Sequence, residues 1–340
     1  MSLKKKNAIF LLIVLAAFAL LYWMGTFAEG PKKRTGLGRS PVLSANGEEI
    51  IFSYYKDGEA ALYTAPASGG KAQLLLQPQT LDSFVRPAYS PDGTKLLYIK
   101  EYEVEGKPYS QLMMYDFEKE QSLPLKDSDH YIKEAVFTPD GKNIYFVKAE
   151  GYQESHNSDR LVPEDYDIYK MNLDTYKTER ITTFNLYSLS SLQVSNDGKY
   201  VMYSLYNGKD LVQRLNLETK KVKTVMPEPE YESGAANGPI IGSPALSPDG
   251  NTIAFSDVAT SSENGTYLYE VFIMNINGDN VKQVTNFHEH VTSPVFFPEG
   301  KDLLVTVDQN FAGGQPDYQY WRVSKDGSER DEIIIELPEK

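Results

Sequence analysis

From Ser40 to Leu337 the chain repeats one arrangement of apolar and polar positions. A short apolar stretch runs into a polar turn, and an apolar strand follows at once. The copies read PVLSANGEEIIFSYY from Pro41, PAYSPDGTKLLYIK from Pro87, AVFTPDGKNIYFVK from Ala135, LQVSNDGKYVMYSL from Leu192, PALSPDGNTIAFSD from Pro244 and PVFFPEGKDLLVTV from Pro294. Their turn glycines, Gly47, Gly93, Gly141, Gly198, Gly250 and Gly300, are separated by 46, 48, 57, 52 and 50 residues. A period near 50 carried by strands alone predicts the blades of a propeller. In the turn, Pro presets φ at the first corner, Asp caps through its side chain and Gly takes the left-handed position that closes the hairpin.

Each copy is followed by a third strand (ALYTAP, QLMMYDF, DIYKMNL, LVQRLNL, VFIMNIN, YWRVSKD) and a fourth (AQLLLQ, QSLPLK, ERITTF, VKTVMP, VKQVTN, DEIIIEL). Four strands per unit predict an all-β, six-bladed β-propeller over residues 40–340. No strand is left over at either end, so ring closure is expected to rest on packing between the first and last blades.

Ahead of the repeat the pattern changes. Lys4-Lys5-Lys6 precedes the uncharged run AIFLLIVLAAFALLYWM, Ala8 to Met24. As a helix this run rises roughly 25 Å, marginal but sufficient for a bilayer core. It is read as an N-terminal transmembrane helix over 1–24, with Tyr22 and Trp23 at the interface and the basic triplet inside. Residues 25–39 would then be a flexible stalk, and the propeller would sit on the extracytoplasmic side of a single-pass membrane protein. Thr26-Phe27-Ala28 offers the alternative of a removable signal peptide.

Composition adds little to the fold but narrows function. Hydrophobic residues make up 41% of the chain, and 24 Tyr with 15 Phe favour strands. Cys is absent, which removes disulfides and thiolate chemistry. Beyond the first 30 residues, 31 basic residues face 46 acidic ones. Such a surface repels phosphate backbones, so nucleic acid is not an expected partner. No G-x-S-x-G elbow or phosphate-binding loop occurs.

The unit made of an S-P-D-G turn, an apolar strand, a D-I-Y-x-M-N-L strand and a basic-apolar strand resembles the TolB-type propeller repeat. The match is best at Ser90–Gly93, Thr138–Gly141 and Ser247–Gly250, and the likeness covers about 300 residues. It implies a propeller that binds envelope partners, and a propeller fold by itself hosts many activities.

Candidate chemistry lies where the loops vary. Second-to-third-strand loops and inter-blade links fall on one face, and all four histidines are expected there: His130, His156, and His288 and His290 framing Glu289. Similar propellers that act as pectate-fragment lyases hold a divalent metal with histidines on this face, and an H-x-H pair with a remote His is a permissible ligand set. Solvated surface histidines are the plainer reading, which leaves no assigned cofactor and no catalytic residue.

A second candidate is a ring. The residue four before each turn serine position is Ser40, Arg86, Glu134, Ser191, Ser243 and Ser293; these should circle the mouth of a central channel, with Arg86 and Glu134 pairing. Tyr102, Tyr109, Tyr152 and Tyr267 form a further candidate platform for sugar or peptide. The leading expectation is a scaffold or sensor that binds an envelope protein, a peptide segment or a small polar or saccharide ligand. The alternative is a metal-dependent polysaccharide lyase or hydrolase.

Overall fold

The repeat folds as its turn chemistry dictates. In the computed structural model, which describes residues 3–26, 33–79, 81–125, 131–155, 160–261 and 265–338, the S-P-D-G turns share one hydrogen-bond plan. At Ser90 the hydroxyl donates to Asp92 (2.6 Å) and accepts from the Lys95 amide (2.8 Å), while the Asp92 carboxylate also accepts from the Thr94 amide (3.1 Å). Gly93 closes the turn at φ +72°. Thr138 with Asp140, Ser195 with Asp197 and Ser247 with Asp249 repeat the hydroxyl-to-carboxylate bond.

Antiparallel meanders follow. Val42–Leu43, Glu49–Lys56, Glu59–Pro66 and Gln73–Leu76 form the first. Ser83–Tyr89, Lys95–Val104, Lys107–Asp116 and Gln121–Pro124 form the second. The third comprises Ile132–Phe137, Asn143–Glu154, Leu161–Asn172 and Thr178–Arg180, and the fourth Leu189–Val194, Tyr200–Tyr206, Asp210–Asn216 and Val222–Val225. The strands between Gly242 and Ile333 join into an eight-stranded sheet. It is two further meanders, starting at Gly242 and His290, linked by the single parallel pair Tyr269–His290.

The core lies between meanders rather than at one centre. Ile51 and Leu62 pack with Leu96 and Tyr98; Leu97 and Leu112 with Ile144 and Phe146; Val147 and Ile168 with Val201 and Tyr203. Met202 and Val212 meet Ile253 and Phe255, and Ala254 and Val271 meet Leu303 and Val305. The sixth cluster returns to the beginning, with Leu304 and Tyr320 against Ile50 and Phe52.

Hydroxyls tie neighbouring meanders across the same seams. Ser53 donates to the Phe84 carbonyl (3.2 Å), Ser110 to that of Ile132 (2.7 Å), Ser256 to that of Val291 (2.5 Å) and Thr306 to that of Arg39 (2.9 Å). The last bond joins the end of the chain to its beginning. Tyr320, fully buried, adds a bond from its hydroxyl to the Gly38 carbonyl (2.7 Å). Ile335–Glu336 then pairs in parallel with Gly70–Lys71. The ends are therefore joined by hydrogen bonds and a strand pair, where packing alone was expected. The reason is local: DEIIIEL breaks at Ile334, so its first half stays in the last meander and its second half crosses to the first.

The leader also departs from expectation. Gly36–Leu37 pairs with Tyr54–Tyr55, and Arg34 stacks over the Tyr55 ring at 3.6 Å, so the segment assigned to a stalk is bound to the first meander before Ser40. Leu3–Thr26 is helical. Among the described residues, however, no helix is long and apolar enough to cross a membrane, and this corrects the single-pass anchor and the localisation drawn from it. The lysines occupy the helix's first turn, and the apolar run Ala8–Met24 after them rises only about 25 Å against a hydrocarbon core of about 30 Å.

Candidate functional site

The innermost strands carry the ring positions, and the backbone there is not regular. Register shifts occur between Val85 and Ala88, Ile132 and Glu134, Ser190 and Gln193, Gly242 and Ala245, and Thr292 and Val295. Each is a bulge at a ring position, where one extra residue re-aims a side chain. Arg86, Ser191, Ser243 and Ser293 are left-handed, at φ 51°, 56°, 46° and 51°. Left-handed non-glycine residues cost free energy that the surrounding structure must sustain, and they concentrate at functional positions.

The ring borders a cavity of about 530 Å³ lined by Ser40, Glu134, Ser191, Ser243 and Ser293, with Pro41, Pro244 and Pro294 beside them. It continues to Asn196, Ser247 and Pro248, residues of the tight turns. The cavity thus runs along the innermost strands toward the tight-turn side, whereas loop length had pointed to the opposite face. Glu134 accepts from the Leu192 amide (3.0 Å), and Gln193 reaches the neighbouring meander, donating to the Pro244 carbonyl (2.6 Å) and accepting from the Leu246 amide (2.7 Å). Burial pushes the Glu134 carboxyl up, and the Leu192 amide and Lys133 partly offset this.

Arg86 does not line that cavity. Its guanidinium bonds Glu101 (2.6 Å) and the Lys133 carbonyl (2.9 Å), and Tyr131 donates to the same Glu101 oxygen (2.7 Å). The expected Arg86–Glu134 pair is therefore replaced by Arg86–Glu101, because the bulge at Arg86 turns its side chain back over its own meander. Burial works against the charge on Arg86, but Glu101 overrides it and holds the guanidinium protonated.

Of the histidines, His130 and His156 lie outside the described residues. His288 is exposed and left-handed (φ 58°), its amide donating to Glu270 (2.7 Å). His290 lies flat on Phe311, with ring centroids 3.9 Å apart, and edge-on to Tyr269 at 4.6 Å. Its Nδ1 is buried without a hydrogen-bond partner. Burial, then the nearby Arg39 charge, pushes this imidazole down to about 4, so it is neutral at ordinary pH. Among the described residues no three His, Asp or Glu side chains stand together in a way that could hold a metal ion. Glu289 contributes its carbonyl to the Tyr269 amide (3.0 Å).

The tyrosine platform is partly assembled. Tyr102 and Tyr109 stack at 5.7 Å, Tyr152 joins at 6.3 Å, and the Lys107 ammonium sits 4.1 Å from the Tyr152 ring centre. Tyr267 pairs instead with Ser261 in a later hairpin.

Four buried carboxylates organise the links and loops at the far ends of the strands. Asp167 accepts from Thr182 (2.6 Å), Arg180 (2.6 Å) and the Phe184 amide (2.7 Å). Glu270 accepts from Thr285 (2.5 Å) as well as from His288. Asp257 holds Tyr231, Ser233 and the Ile240 amide, and Asp308 the Asn310 and Asp317 amides. The signal for the first two was in the repeat. Asp167 and Glu270 open the equivalent stretches DIYKMNL and EVFIMNI, and Thr182 and Thr285 each follow fifteen residues later.

Strand meanders packed seam to seam around a channel with a polar ring define a β-propeller. Its particular likeness is to TolB. The structure of TolB from Acinetobacter baumannii superposes with a TM-score of 0.61 at 20% identity, covering 84% of this chain and 63% of that one. A Tol-Pal system protein TolB of Francisella tularensis is 29% identical over 126 residues, 37% of this chain and 24% of that protein. The uncharacterized peptidase YuxL of Bacillus subtilis is 26% identical over 188 residues, 55% of this chain and 24% of that protein. An oligogalacturonate lyase solved with manganese superposes with a TM-score of 0.52 at 17% identity, over 85% of this chain and 77% of that one. No family model matches. The chain spans about a quarter of the length of the curated relatives it matches. Its fold is that of the TolB-type β-propeller.

Proposed function

We propose that this chain is a binding propeller of six blades whose central channel receives a peptide segment of a partner protein, with a protein of the cell envelope as the partner class. The six blades rest on the succession of seam clusters that ends where it began, with Leu304 and Tyr320 against Ile50 and Phe52. The envelope partner rests on the likeness to TolB. The observation that carries the binding role is the cavity itself, rimmed by small hydroxylated side chains held left-handed at bulges. Serines there keep the space open and leave donors available to a ligand backbone. Nothing in the ring pairs a nucleophile with a base, so the chemistry it supports is recognition.

Capture of a random decapeptide pool on the immobilised full chain, compared with a Ser40→Trp variant that fills the cavity from an exposed position without a left-handed backbone, tests this. The wild type should retain a reproducible peptide subset, and the variant should lose it by tenfold or more (about 1.4 kcal/mol) at an unchanged melting temperature. Equal retention by both proteins would contradict the channel as the site.

A further inference from the structure

We propose that the channel carries a seat for a cationic group of its ligand, with the Glu134 carboxylate as the counter-charge and the ring serines beside it. This deepens the binding role above and rests on it.

Among the described residues that line the cavity, Glu134 is the only one with a charged side chain. The rest of the wall is serine hydroxyls, Tyr89, the amides of Gln193 and Asn196, and apolar groups. Both amides are occupied, Gln193 by Pro244 and Leu246 and Asn196 by the Pro248 carbonyl. Glu134 stands at the bulge of the third meander and reaches across the seam to the bulge of the fourth. There the amides of Leu192 (3.0 Å) and Ser191 donate to it. Two backbone donors fix its place, but neither is a cation. A carboxylate has about four acceptor positions, and this one is half-buried, so it keeps acceptor capacity toward the cavity.

The two cations near it are turned elsewhere. Lys133 lies over the Tyr166 ring at 5.2 Å, and Arg86 is held by Glu101 at 2.6 Å. Their charges pull the Glu134 carboxyl down, yet burial outweighs them and leaves it raised. The wall is thus short of positive charge at a point that a ligand inside the channel can reach. A cation there gains more than on the open surface, because the surroundings are less polar than water.

The neighbours suit the rest of a basic group. Among the described residues no hydrogen bond within the protein engages the hydroxyls of Ser40, Ser191 or Ser293, although all three line the cavity. Hydroxyl oxygens accept N–H donors, so they complete the shell of an ammonium or guanidinium. Val42, Val136 and Val295 supply apolar wall for a methylene stem.

The cation can come from the free N-terminus of a peptide or from a Lys or Arg side chain. Three decapeptide pools, all C-terminally amidated, separate these sources: one with free N-termini, one N-acetylated, and one N-acetylated and free of Lys, Arg and His. Each is captured on the full-length wild type. The seat predicts that removing every cation lowers retention about tenfold. A drop already complete on acetylation assigns the terminal ammonium, and one that waits for loss of the basic side chains assigns those. Equal retention of all three pools would overturn the seat while leaving the channel reading intact. Retention of none would overturn both. The chain is acidic as a whole, with 47 acidic and 34 basic residues, so the general field must be told apart from the seat. At high salt that field is screened, and the wild type should keep its preference; loss of it there would overturn the seat. Glu134→Gln, which keeps an oxygen for the Leu192 amide, should retain all three pools about equally. Glu103→Gln removes the same charge from an exposed hairpin position and should behave as the wild type. A cation preference that survives Glu134→Gln, or that falls by the same factor in both variants, would overturn the seat.

Discussion

At the scale of single residues, buried polar groups carry more than their number suggests. Asp167 is fully buried and collects an arginine, a threonine hydroxyl and backbone amides of the following link. Asp167→Ala strands those donors, and urea unfolding should show a loss of about 3 kcal/mol, the scale for breaking a buried pair; a loss below about 1 kcal/mol would contradict that role. His290 gives a pH signature. Its folded value of about 4 lies below the ordinary imidazole value of about 6.5. The unfolded chain therefore takes up this proton first, and His290 subtracts stability as pH falls from about 6.5, levelling near about 4. In His290→Phe, which can keep the stack on Phe311, that contribution vanishes, so unfolding midpoints of variant and wild type should diverge on acidification in the variant's favour. A constant difference across that range would refute the assignment. The sequence reads His290 as part of an inter-blade link, whereas it opens the strand His290–Phe296, and it gives no sign of the stacking, because Phe311 approaches from a loop 21 residues away.

At the scale of elements, the turns were the most legible feature, since Ser, Asp and Gly each satisfy a local need within five residues. The third and fourth strands followed from the same spacing. The bulges were not legible. A bulge is a property of pairing between strands, and Arg86, Ser191, Ser243 and Ser293 have no residue type in common that marks the left-handed conformation. The ring position was found by counting back from the turn, but the direction of Arg86 was lost. The closure is the element most open to test. Tyr320→Phe removes the bond to the Gly38 carbonyl and should cost about 1 kcal/mol in chemical denaturation; no change would mean that the hydroxyl tie contributes nothing. The chain has no native Cys, so Lys71→Cys with Glu336→Cys should oxidise to an intramolecular disulfide, the two positions facing each other in the parallel pair. Failure to cross-link in the folded protein would place the C-terminal strand elsewhere.

At the scale of the whole molecule, the repeat period anticipated the fold class, and the hydrogen-bonded closure is what it missed. Closure depends on residues 36–39, which lie outside the repeat, and on a one-residue break at Ile334 within its last strand. The leader was misjudged for a different reason: the rise of about 25 Å was taken as enough for a hydrocarbon core of about 30 Å. The central claim is that a polar-ringed channel, closed by both chain ends, receives a peptide segment. Hydrogen-exchange mass spectrometry of the full chain, with and without a peptide retained from the pool, tests it most directly. The account predicts new protection in the innermost strands, at 189–194, 242–246 and 290–296, with none in the outer strands at 73–76 and 121–124. Protection confined to the outer strands, or spread evenly over the disc, would contradict it.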